Sequence, residues 1–219
     1  IDDSYLLVGK ARFLKFDLIS ASETFLYIKK TYKEGIERYK ASLWLALTFI
    51  YQENYVDAET LIKAIKEDKE FPKKFKDELV LYEAIAFKRS GQAEKAIIAL
   101  EQAASLIKKR KLKRRIQFIL AQMYQQKGDL KKASELYELI GKKATNYDLQ
   151  FNAKINLAIT HDGNGNEVIS LLEKMLKDEK NKEYKDQIYY ALAKVYERKG
   201  DEVNTISNYK KSAASSLKN

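Results

Sequence analysis

The chain has 219 residues, 45% of them hydrophobic and 33% charged, with only eight glycines and one proline. So few breakers among abundant Ala, Leu, Lys, Glu and Gln point to an all-α protein long enough to bury a sizeable core. The absence of cysteine excludes a disulfide framework, thiol catalysis and cysteine-ligated zinc or iron–sulfur centres, and the net charge of +10 is spread over lysine-rich stretches interspersed with glutamate, which reads as a solvated surface.

In chain order, the apolar periodicity predicts six helix pairs, at roughly residues 2–35, 39–74, 77–112, 114–148, 151–184 and 186–219. The first pair carries small residues at Gly9 and Ala21, the second at Ala46 and Ala58, and the third at Ala84 and Ala96. The fourth is the most regular, with Ile116, Ile119, Leu120, Met123 and Tyr124 on one helix and Leu130, Ala133, Leu136, Tyr137 and Ile140 on the next. Its small residues are Ala121 and Ala133; the fifth pair offers Ala158 and Ser170, the sixth Ala193 and Thr205. Within every pair this alignment separates the two by 12 residues, and the first members recur after 37, 38, 37, 37 and 35 residues. Three residues after the first small residue stand Arg12, Phe49, Phe87, Tyr124, His161 and Tyr196; four after the second stand Phe25, Ile62, Leu100, Tyr137, Lys174 and Tyr209. Gly91, Gly128, Gly165 and Gly200 share one phase, in the turn within a pair, where a positive φ suits glycine. The first and fifth units depart most from the pattern, at Arg12 and at His161 and Lys174.

The pattern Leu120-Ala121, Tyr124, Ala133 and Tyr137, repeated as Leu192-Ala193, Tyr196 and Tyr209, resembles the tetratricopeptide (TPR) repeat. The resemblance implies a right-handed α-solenoid superhelix whose first helices line a concave groove. It departs from the family in its longer period and in lacking the repeat-ending proline, Pro72 being the only one. The segments 149–158, 171–201 and 208–216 further resemble the long TPR lipoproteins of the Bacteroidetes type IX secretion and gliding machinery. That likeness implies a scaffold on the periplasmic side of the outer membrane, with secretion-channel or motor subunits as partners. A cytoplasmic TPR adaptor for chaperone or regulatory peptides is the alternative. The chain begins Ile1-Asp2-Asp3 and reads as an internal piece of a longer protein.

Binding, not catalysis, is the expected chemistry. One histidine, His161, has no imidazole partner for a metal, no nucleophile motif or glycine-rich phosphate loop occurs, and neither cofactor nor small-molecule substrate is expected. Asp162, Asn164 and Asn166 with Glu173 resemble a calcium loop, but Glu167 stands where that loop needs glycine, and a capped turn is the better reading. The resemblance to TPR arrays places Leu7, Trp44, Tyr82, Ile119, Asn156 and Ala191 on the groove, with Leu14, Tyr51, Arg89, Gln126 and Arg198 beside them. Trp44, Tyr51 and Tyr82 would be anchors for a partner, or would fill the helix layer. Lys108, Lys109, Arg110, Lys111, Lys113, Arg114 and Arg115 form the densest basic cluster, able to grip an anion such as a lipid head group or an acidic segment; without interleaved aromatics, nucleic acid is not favoured. The plainer reading is a solvated turn whose cations sit near a helix C-terminus. The longest apolar run, Leu43–Tyr51, is far short of a membrane span.

Overall fold

The computed structural model describes residues 2–161 and 165–216. Among these there are twelve α-helices: α1 (Asp2–Leu14), α2 (Leu18–Thr31), α3 (Glu37–Tyr51), α4 (Tyr55–Glu67), α5 (Lys76–Arg89), α6 (Ala93–Leu106), α7 (Arg110–Lys127), α8 (Leu130–Lys143), α9 (Tyr147–Thr160), α10 (Asn166–Lys177), α11 (Lys185–Arg198) and α12 (Glu202–Ser216). Two 3-10 turns, Lys73–Phe75 and Glu179–Tyr184, occupy two of the connections between pairs, and the described residues contain no strand. The chain divides into two compact units, Ile1–Lys108 and Lys109–Asn219. Each holds three helix pairs, and within a unit the odd-numbered helices pack on their own even-numbered partner and on the next odd-numbered helix.

The small residues explain the pairing. Ala21, Ala46, Ala58, Ala84 and Ala96 in the first unit, and Ala121, Ala133, Ala158 and Ala193 in the second, are fully buried. Gly9 shows what a side chain there would meet: a Cβ would lie 2.6 Å from the buried ring of Phe25. Large residues fill what the small ones leave open, Phe25, Ile28, Leu43, Leu45 and Ile50 in the first unit and Tyr137, Ile140, Leu172 and Ile188 in the second.

One turn is built five times. Phe16, Glu53, Gly91, Gly128 and Gly200 adopt positive φ. The following residue then turns its amide back to a carbonyl five positions earlier: Asp17 to Arg12 (3.0 Å), Asn54 to Phe49 (2.9 Å), Gln92 to Phe87 (2.9 Å), Asp129 to Tyr124 (2.9 Å) and Asp201 to Tyr196 (3.0 Å). This satisfies carbonyls that the end of the helix would orphan. The same residue begins the next helix: Asp17, Asn54, Asp129 and Asp201 each accept the backbone N–H three residues on. In four of the five the acceptor carbonyl belongs to an aromatic residue, Phe49, Phe87, Tyr124 or Tyr196, whose ring is buried or half-buried, so one residue both packs and anchors the turn. In the first it belongs to the exposed Arg12.

The fifth pair corrects the expected register. Ser170 and Lys174 are exposed, while Val168, Leu172 and Met175 are buried. These stand 35 residues after Ala133, Tyr137 and Ile140, so α10 enters two residues early and its separation from Ala158 is ten, not 12. The next connection is ordinary: Val168 to Ala193 spans 25 residues, as Ala133 to Ala158 does. The short final period of 35 is therefore the sum of a shortened turn and a normal connection. Asp162, Gly163 and Asn164, the start of the calcium-like stretch, lie outside the described residues.

Candidate partner-binding surfaces

In the first unit, the aromatic residues expected on the groove prove to be shared with the helix layer. Trp44 is half-buried, edge-on to Phe13 at 5.5 Å and stacked on Phe25 at 6.1 Å, with Lys10 Nζ 5.1 Å from its ring centre. Tyr51 meets Phe13 edge-on at 5.2 Å, and the exposed guanidinium of Arg89 lies 4.8 Å from its ring centre. Each ring thus ties α3 to α1 or α5, and contacts of this kind contribute about 0.5–1.5 kcal/mol each. Tyr82 is half-buried; burial first, and then the neighbouring charge of Glu78, raise its phenol well above the ordinary value. Leu7 is exposed, as are Leu14 and Phe16, the last two by 78% and 69%. Phe16 is missed by periodicity because it takes the positive-φ place that later repeats give to glycine. Counting back from Gly91 through Glu53 at the repeat period finds it.

In the second unit, Ile119 and Asn156 are half-buried and Gln126 is exposed. Asn156 donates to the Asn152 carbonyl of its own helix (2.9 Å). Arg198, also exposed, donates to the carbonyls of Ala158 (2.6 Å) and Ile159 (2.7 Å), so its charge closes the C-terminal end of α9. Ala191, expected on the groove, is fully buried, because α11 packs that side against α9. His161 follows the last residue of α9, where its backbone N–H bonds to Leu157 (2.8 Å); it is half-buried and borders a cleft of about 660 Å3 with Leu130, Leu157, Val168 and Leu171.

The basic cluster lies at the opposite helix end from the one expected. α6 stops at Leu106, and Ile107 and Lys109 take extended backbone conformations. Arg110, Lys111, Lys113, Arg114 and Arg115 therefore occupy the first two turns of α7, where the helix dipole repels cations. No acidic residue stands in that first turn and Lys109 makes no side-chain cap. Arg110, Lys111, Arg114 and Arg115 face Lys143, Asn146 and Leu149, at the α8–α9 connection, across a cleft of about 310 Å3. Arg110, Lys111, Arg115 and Lys143 are exposed, Lys113 and Arg114 are half-buried, and Arg114 donates to the Gln117 side chain. Among the described residues none of these six cations forms an ion pair.

No group of three or more His, Asp or Glu able to hold a metal occurs among the described residues, and no described helix is long and apolar enough to cross a membrane.

Comparison with known proteins establishes the fold. No protein-family model matches the chain, and none of the curated proteins matches it. Among solved structures, the nearly identical TPR-like repeats of a Podosopora anserina protein described as a kinesin light chain superpose with a TM-score of 0.61 at 19% identity, over 88% of this chain and 95% of that one. A point-substituted form of the same repeats gives 0.60 at 20% identity, over 78% and 91%. A tetratricopeptide repeat protein from Parabacteroides merdae gives 0.52 at 14% identity, over 97% and 92%. The fold is the all-α repeat solenoid of TPR proteins.

Proposed function

We propose that this chain is a non-catalytic scaffold for protein partners, and that it serves type IX secretion and gliding motility from the periplasmic side of the bacterial outer membrane. The TPR-type fold supports the first part. Its core is built of apolar side chains packed helix on helix, and among the described residues its buried polar side chains are dispersed, at most two to a helix, rather than gathered around a reactive centre. The observation that carries the second part is the likeness of segments 149–158, 171–201 and 208–216 to the TPR lipoproteins of that machinery. These segments include most of α9 and all of α11, so the likeness falls on surface and core alike.

The test is affinity capture with residues 1–219 as bait from Bacteroidetes cells that carry the machinery. Secretion-channel or motor subunits are the expected prey. Cytosolic chaperones in their place would replace this reading with the cytoplasmic adaptor.

A further inference from the structure

We infer that the cleft between the first turns of α7 and the α8–α9 connection docks an acidic segment of a protein partner, through carboxylate or phosphate side chains; this deepens the scaffold reading and rests on it. Arg110, Lys111, Arg114 and Arg115 from one wall and Lys143 from the other give five cations around about 310 Å3. None is neutralised by an ion pair among the described residues, whereas Lys40, Lys66, Lys132 and Lys142 elsewhere each meet a carboxylate.

The arrangement works against the helix that bears it. Cations in the first turn oppose the dipole, and neighbouring like charges add to that. The first-turn amides have no intrahelical acceptor, and Lys109 offers them no side-chain oxygen. An incoming anion reverses every one of these terms together. It meets free amides, the positive end of the dipole, and guanidinium forks that bind carboxylate or phosphate in two-point fashion.

The cleft's shape and lining choose among anions. It admits a few side chains and bears no aromatic surface on which bases could stack, which single-stranded nucleic acid uses. Its apolar members are only the half-buried Ala144 and Leu149, too little to enter a bilayer. A short acidic peptide satisfies the charge and fits the volume.

The chain of 219 residues would be titrated with fluorescent peptides, one rich in glutamate and one carrying phosphoserine, with a dT oligonucleotide and phosphatidylserine vesicles run alongside. The variant Arg110→Glu/Lys111→Glu/Arg114→Glu places acidic groups where the dipole favours them, so it should fold at least as well as the parent. Binding of one or both peptides should weaken at least about tenfold in this variant and fall steeply with salt. The matched variant Lys69→Glu/Lys73→Glu/Lys76→Glu, which changes net charge equally in the first unit, should retain it. The stronger peptide tells carboxylate from phosphate recognition. Equal losses in both variants would reduce the effect to net charge and overturn the proposal. So would tighter binding of oligonucleotide or vesicles, or failure of both peptides to bind. If the α7 variant still captures the parent's protein partners from cells, the docking cleft fails while the scaffold reading stands.

Discussion

Phe16 and Glu53 hold φ at 64° and 62°, at the repeat position where Gly91, Gly128 and Gly200 stand in later repeats. A left-handed conformation costs a non-glycine residue roughly 1–2 kcal/mol, partly offset because glycine has more freedom to lose on folding. Glu53→Gly should therefore stabilise the chain by about 0.5–1 kcal/mol, read as a higher urea midpoint at unchanged m-value. A lowered midpoint would contradict this account of the turn. The converse applies in the core at Gly9, where an added methyl would press into Phe25. Gly9→Ala should cost about 1–3 kcal/mol. Tyr137 gives a pH test. Its hydroxyl donates to Gln125 Oε1 (2.9 Å), and burial pushes its phenol from the ordinary 10.0 up to about 12. Between those values the unfolded chain has lost this proton and the native one keeps it, so the unfolded state is favoured as pH rises. Below about pH 10 both states are protonated and the contribution is intact. Urea titrations from about pH 8 to about pH 11.5 should lose about 1.4 kcal/mol per pH unit through this group above about pH 10. The Tyr137→Phe variant should show a correspondingly shallower decline. Parallel curves for the two proteins would exclude Tyr137 as a source.

At the scale of single helices, α10 separates two readings of the same stretch. Anchoring on the constant spacing predicts that Ser170 and Lys174 are internal, whereas the fold buries Val168, Leu172 and Met175. Leu172→Ala should cost about 2–5 kcal/mol and Lys174→Ala less than about 0.5 kcal/mol. Near-equal effects in denaturant melts would restore the first register. The apolar residues of α10 recur at helical spacing, so the correct register is legible there. It is hidden because an offset that holds in the other five repeats outweighs local hydrophobicity in this one. Elsewhere the alanines make the helix pairs and their order plain, since only a small side chain permits such close approach. The surface is less legible. The resemblance to TPR arrays assigns Trp44 and Tyr51 to a face but cannot say how far Phe13 and Arg89 cover them. The basic cluster is misread as the end of a helix for a related reason. The break before α7 is made by extended backbone at Ile107 and Lys109, residues that carry no turn signal of the kind glycine or proline gives.

For the whole chain, stability in a repeat array is close to a sum of each repeat's own stability and its interfaces with neighbours, and about three repeats are needed before that sum favours folding. Each of the two units holds three helix pairs, the least that this rule allows. The first has a contiguous core running from Leu6 to Ala86, and the second buries Phe151, Leu172, Ile188 and Val195 together. Separate expression of residues 1–108 and 109–219 should accordingly yield two helical, cooperatively melting proteins. Lys108, Lys109 and Arg110 are exposed at the border, with Lys109 in extended backbone, so brief trypsin treatment of the native chain should cut there early. Two persistent fragments of about half the chain, retaining their helical circular dichroism, would show that the border of the compact units is also a border of cooperative folding. Loss of helicity in either piece would mean instead that the six repeats fold as one. Because the same basic residues line the proposed docking cleft, an acidic peptide that binds there should slow cleavage at Arg110 and Lys111 in proportion to its occupancy. A tryptic pattern unchanged at saturating peptide would place the peptide elsewhere.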